Sequence, residues 1–101
     1  MQTMDNLKKL GKLDQAANES WKKFQAFNEA AMADGAIPTK YKELIALGVA
    51  LTTQCSYCLE IHRKAALKAG ATQEELAETT LIAGALRAGA ALTHGTQILD
   101  S

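Results

Sequence analysis

Apolar residues recur along this chain at spacings of three and four, and no stretch alternates with a period of two. That period predicts helices and no strands, an all-α fold. Ala17, Trp21, Phe24, Phe27 and Ala31 form one apolar stripe, on a helix expected from Asp14, as its cap, to about Ala33. The stripe holds most of the aromatic mass and is expected in the core or at a subunit interface. Ahead of it, residues 1–13 read as a lead-in. There, Thr3 to Leu10 are expected to form a short helix with Met4, Leu7 and Leu10 on one side, ended by Gly11. Asp34-Gly35-Ala36-Ile37-Pro38 breaks the pattern. Gly35 suits the left-handed residue that follows a helix, and Pro38 suits the first turn of the next.

A second long helix is expected from Thr39 to Thr53. Tyr41, Leu44, Ile45, Gly48, Leu51 and Thr52 share a face, and Leu47, Val49 and Ala50 widen it until the helix is apolar nearly all round. Such a helix is expected at the centre of the fold, with Glu43 in its first turn. A third helix is expected from near Cys55 to Ala69, with Gly70 as terminator. Thr72-Gln73-Glu74-Glu75 reads as a capping box that opens a fourth helix carrying Leu76, Leu81, Ile82, Ala85 and Leu86. Gly84 and Gly89 interrupt that helix, so a kink or short break is expected near Ala88–Ala90. A last helix would hold Ala91, Leu92, Ile98 and Leu99. With 101 residues and no internal repeat, the chain reads as a single domain over 1–101.

Composition changes this picture in one respect. Hydrophobic residues make up 48% of the chain but aromatics only 5%. Small side chains bury little area at roughly 25 cal/mol per Å², so the monomer core is thin and self-association is expected. Eleven basic residues balance eleven acidic ones. No basic surplus exists to meet phosphates, so nucleic acid is not an expected partner. Lys8, Lys9, Lys12, Lys22 and Lys23 read as solvated faces. The opening MQTMDNLKKL lacks the apolar run of a secretory signal, and no segment approaches the about 18 apolar residues of a membrane span. A C-x-x-C pair in such a chain points to a reducing, cytoplasmic setting, where a reactive pair or a metal site is expected before a structural staple.

Cys55-Ser56-Tyr57-Cys58 stands at the expected start of the third helix. Cysteines three apart there share a face and can bridge with little backbone movement. The free N–H groups and macrodipole of a helix start stabilise a thiolate, the reactive form of the thiol. His62, four residues beyond Cys58, lies on the same face, which puts a base within reach of a thiol. Glu43 precedes Cys55 by twelve residues. Antiparallel packing of the two helices would carry it toward His62, where a buried carboxylate would orient the ring. Other readings stand beside this one. The cysteines are a buried pair with an unrelated histidine, or they ligate zinc with His62 and Glu43. Haem attachment requires histidine directly after the second cysteine, and Leu59 is there. His94 reads as a surface or interface residue, Tyr41 as core, Tyr57 as packing or as a lining of the thiol entrance, and Arg87 as a possible partner in an inter-subunit ion pair.

Gly35-Ala36-Ile37-Pro38, Lys42-Glu43-Leu44-Ile45-Ala46-Leu47, Cys55-x-x-Cys58-x-x-x-His62 and Ala69-Gly70-Ala71-Thr72-x-Glu74-Glu75 together resemble the alkyl hydroperoxidase AhpD-like family, within the carboxymuconolactone decarboxylase superfamily. The resemblance runs from about Asp34 to Leu99. It implies a bundle of five to six helices, with an antiparallel pair carrying the C-x-x-C site, assembled as trimers or hexamers. It also implies a peroxidase that needs no cofactor and no metal, with a hydroperoxide substrate and a thiol reductant as partners. By that resemblance Cys58 attacks the peroxide, Cys55 resolves the sulfenic acid as a disulfide, and His62 with Glu43 relays the proton. A sulfenic acid beside a second thiol condenses before it over-oxidises. Better-studied members often carry a histidine between the two cysteines, where this chain has Tyr57. The alternatives are a lactone enzyme of the decarboxylase branch, which generally lacks the cysteine pair, and a non-catalytic redox or zinc-binding module.

Overall fold

The computed structural model describes residues 3–101. A 3-10 turn over Met4–Lys9 leads into α1 (Leu10–Ala16) and α2 (Asn18–Met32), followed by α3 (Thr39–Thr53), α4 (Ser56–Lys68) and α5 (Gln73–Gly95). A second 3-10 turn, Thr96–Ile98, closes the chain, and no strand occurs among the described residues. Among the described residues no helix is long and apolar enough to cross a membrane.

The centre is a three-helix unit in which α3 packs on both α4 and α5. Leu47, Ala66 and Ala71 form its buried cluster, flanked by Leu44, Leu59 and Leu76. Two tight reversals shape it. Gln54 takes the left-handed conformation at φ 57°, and the Cys55 N–H donates to the Ala50 carbonyl at 3.1 Å, closing α3. At the end of α4, Gly70 sits at φ 99°, and the Ala71 N–H donates to the Ala66 carbonyl at 2.9 Å. Both are Schellman closures, and the second places its hydrophobic contact, Ala71 on Ala66, inside the core. The capping box of α5 is present: Thr72 Oγ1 accepts from the Glu75 N–H at 3.1 Å, and Glu75 Oε1 accepts from the Thr72 N–H at 2.9 Å. The corner between α2 and α3 is also pinned. Lys42 Nζ donates to the Ala31 and Ala33 carbonyls, and Asp34 Oδ1 accepts from the Thr39 N–H at 2.7 Å. That backbone N–H holds the Asp34 carboxyl below the usual carboxylate range.

Several expected boundaries move. Gly11 does not end a helix but lies inside α1, without the positive φ a terminator needs. The break falls instead at Ala17, with φ −143° and ψ 57°. Asp14 is therefore not the cap of the long helix; its carboxylate reaches across the break to the Asn18 side-chain amide. The expected interruption near Ala88–Ala90 is absent, and α5 runs unbroken through Gly84 and Gly89 to Gly95. Glycine costs a helix about 1 kcal/mol but does not stop it unless a left-handed turn or a proline follows. Leu92 thus belongs to α5, and Ile98 and Leu99 to the closing turn and tail. α3 buries Glu43, Leu47 and Ala50 on one side only, while Tyr41, Ile45 and Val49 stay exposed on the other. Tyr41 is therefore not a core residue of the monomer. Trp21 is half-buried and stacks on Phe24 with ring centroids 5.6 Å apart, but Phe24 and Phe27 are exposed. Arg87 donates to the Thr52 carbonyl at 2.5 Å, so within the monomer it ties α5 to the end of α3.

Candidate functional site

The reversal at Gln54 delivers Cys55 to the head of α4 in extended conformation. Cys55 is the N-cap, one residue before the expected first turn, and its sulfur accepts the Cys58 N–H at 3.2 Å. A sulfur here does what a serine or aspartate oxygen does at other helix starts: it takes up a backbone donor with no partner in the helix. The two cysteines are joined as a disulfide, with Cα atoms 5.3 Å apart.

One turn along α4 stands His62. Its Nδ1 lies 2.6 Å from Oε1 of Glu43 on α3, a residue left only 7% exposed. An ionised carboxylate only accepts, so in this contact Nδ1 is the donating nitrogen and Nε2 is the one that faces away from Glu43. The α3–α4 hairpin thus brings together four residues that sequence reasoning singled out, two from the pair's head and two facing each other across it. Cys58 and His62 open onto one cavity of about 510 Å³, which Tyr57 also lines. Cys55 does not line it. The other candidates lie elsewhere. Tyr41 borders a groove between α3 and α5, and His94 is exposed near the end of α5, 3.1 Å from the Gln97 amide. Among the described residues no group of three or more His, Cys, Asp or Glu is arranged to hold a metal. Zinc ligation by this set would need the two sulfurs now bonded to each other and the Glu43 oxygen now on His62.

Asn6 escaped the sequence reading. Its amide Nδ2 donates to the Tyr57 hydroxyl at 3.0 Å, across 51 residues. Leu7, Leu10, Trp21 and Phe24 border the same cavity. Only the spacing of Met4, Leu7 and Leu10 hinted that the lead-in has a face to bury.

A model of the carboxymuconolactone decarboxylase family matches residues 19–101, a span that takes in Glu43, Cys55, Cys58 and His62. The chain belongs to the carboxymuconolactone decarboxylase family. Family relatives include a Paracoccus denitrificans protein described as uncharacterized protein 4 in the cox locus. It is 40% identical over 90 residues, 89% of this chain and 81% of that protein. An uncharacterized protein of Haemophilus influenzae is 38% identical over 94 residues, 93% of this chain and 83% of its own. The apo crystal structure of a carboxymuconolactone decarboxylase family protein from Legionella pneumophila superposes with a TM-score of 0.80 at 35% identity. The match covers 93% of this chain and 84% of that one. A protein from Methanobacterium thermoautotrophicum also reaches 0.80 at 31% identity, over 85% of this chain and 97% of its own. The all-helical architecture and the C-x-x-C pair thus sit in the carboxymuconolactone decarboxylase family, as the sequence motifs implied.

Proposed function

We propose that this chain reduces hydroperoxides, drawing electrons from a dithiol through a reversible Cys55–Cys58 disulfide. One observation carries the reading: Cys58 shares its cavity with His62, whose other ring nitrogen is tied to the buried Glu43 at 2.6 Å. In the reduced form, His62 Nε2 takes the proton of Cys58 Sγ. The thiolate attacks the terminal oxygen of ROOH and the O–O bond breaks. Cys58 becomes a sulfenic acid, and the departing alkoxide takes the proton from His62 and leaves as ROH. Cys55 Sγ then attacks the Cys58 sulfur. The S–O bond breaks, hydroxide leaves with the Cys55 proton as water, and the disulfide closes. A dithiol reverses this in two exchanges. Its first thiolate attacks Cys58 Sγ, which faces the cavity, while Cys55 leaves as a thiolate held by the Cys58 N–H. Its second thiol closes the reductant's own disulfide and frees Cys58. A reducing compartment such as the cytoplasm suits this cycle.

Replacing Cys58 by serine is expected to abolish dithiothreitol-dependent hydroperoxide consumption, and unchanged turnover refutes the reading. Cys55→Ser is expected to accumulate a sulfenic acid at Cys58 that dimedone traps. A lactone decarboxylase working through His62 predicts the opposite pattern: activity that survives loss of both cysteines and disappears in His62→Ala. A zinc-binding module predicts stoichiometric zinc, with thiols unreactive until it is chelated.

We propose also that copies of the chain associate. The radius of gyration is 17.0 Å, against about 13 Å for a compact chain of this length. The accessible surface is 7722 Å², against about 5,500 Å² for a folded monomer of this mass. The excess, about 2,200 Å², is what one subunit of a permanent oligomer covers. Ile45, Val49, Ile82 and Leu86 offer an apolar groove along α3 and α5 for that contact.

A further inference from the structure

The cavity in front of Cys58 extends well beyond the reacting sulfur. Cys58 and His62 line it together with the apolar side chains of Leu7, Leu10, Trp21, Phe24 and Ile61. Of these apolar residues only Ile61 belongs to the helix that carries the thiols. Leu7 and Leu10 come from the N-terminal turn and the head of α1, and the two aromatic rings come from α2. Among the described residues no Lys, Arg, Asp or Glu borders the space. At about 510 Å³ it falls within the range of small-ligand pockets, whereas hydrogen peroxide needs no more room than one or two waters.

We infer that the N-terminal segment is the specificity element of this site: Leu10, Trp21 and Phe24 bind the uncharged apolar body of an organic hydroperoxide while its terminal oxygen meets Cys58. This rests on the hydroperoxide reading above and adds the residues that choose among hydroperoxides. A charged body is disfavoured because nothing in the lining pairs with it and burial strips its hydration. A polar contact ties the segment to α4: the Asn6 amide donates to the Tyr57 hydroxyl at 3.0 Å. Tyr57 lies between the two cysteines, so this bond docks the wall directly onto the redox helix. Asn6 and Tyr57 are positioning residues for the wall.

The test compares cumene hydroperoxide with hydrogen peroxide. The wild-type protein is expected to favour cumene hydroperoxide in kcat/KM. In Leu10→Ala and Phe24→Ala the ratio of the two kcat/KM values is expected to fall about tenfold, through KM for cumene hydroperoxide rather than through kcat. Both side chains are partly exposed, so folding is not at stake. Asn6→Ala and Tyr57→Phe are expected to shift KM in the same sense by loosening the wall. Phe27→Ala, 71% exposed and outside the cavity, is expected to change nothing. Trp21 is the single tryptophan of the chain, so its emission reports on the pocket without turnover. Cumyl alcohol, the product, is expected to change that emission saturably, and about tenfold more weakly in Phe24→Ala. A peroxide ratio untouched by Leu10→Ala and Phe24→Ala, or a Trp21 signal that does not respond, overturns the pocket. Saturable binding without consumption of either peroxide overturns the reductase reading instead and leaves the apolar pocket standing.

Discussion

His62 has two ring nitrogens, and Glu43 engages one of them. With Nδ1 donating to the buried carboxylate, Nε2 is the nitrogen left for a thiol or a substrate oxygen. His62→Ala is expected to lower hydroperoxide turnover by about 10²–10⁴, the usual worth of a positioned acid–base group, with the disulfide still able to form. Glu43→Ala is expected to lose much of the same rate while retaining His62, because the ring is no longer held in one tautomer. Single-turnover oxidation of the reduced protein, followed by loss of thiol, measures both. Two backbone positions allow a paired test. Gln54 and Gly70 occupy equivalent left-handed places, yet only one is glycine. Gln54→Gly is expected to stabilise the fold by about 1 kcal/mol and Gly70→Ala to destabilise it by about as much, in urea unfolding. A Cβ at Gly70 meets no atom within 4 Å, so that cost is conformational rather than steric.

At the scale of elements, α3 and α4 hold the site between them and α5 braces the pair. Its brace is partly electrostatic: Lys40 on α3 lies 2.9 Å from Glu75, the residue that also completes the capping box of α5. The Lys40 ammonium, and then the Thr72 N–H, hold the Glu75 carboxyl below its ordinary value. A carboxyl whose pKa is lower folded than unfolded stabilises the fold at any pH above the unfolded value, and that contribution disappears as pH falls through the folded one. Thermal unfolding of the wild type and of Glu75→Gln is therefore expected to differ at neutral pH and to converge below the ordinary carboxylate range. A constant gap down to strongly acidic pH would count against the pair. Being partly exposed, the pair is also expected to weaken with added salt.

The molecule is elongated, 56 × 32 × 29 Å, and among the described residues four of the five buried hydrophobic ones are alanines. So thin a core leaves large side chains such as Leu86 and Leu92 outward, at 68% and 76% exposure. If copies cover the groove between α3 and α5, Ile45→Asp together with Leu86→Glu is expected to convert an oligomer to monomer in light scattering, with loss of thermal stability. A wild type that scatters as a monomer removes this proposal and leaves the redox site untouched.

The sequence by itself determined the all-helical class, the corner at Asp34–Pro38, the capping box at Thr72 and the joint spacing of Cys55, Cys58 and His62. These are local matters: helical period, caps and near neighbours along one helix are set within a turn or two of chain. It carried Glu43 toward His62 only on the condition that two helices pack antiparallel, and the left-handed residue at their reversal is a glutamine rather than a glycine. Which side of α3 is buried, and the unbroken run of α5 through its glycines, were decided by packing. So was the wall that Asn6, Leu10 and Trp21 set before Cys58. Those depend on contacts between residues tens of positions apart, which no local pattern encodes, and the apolar spacing that marks a core face marks a ligand pocket or a subunit contact equally well.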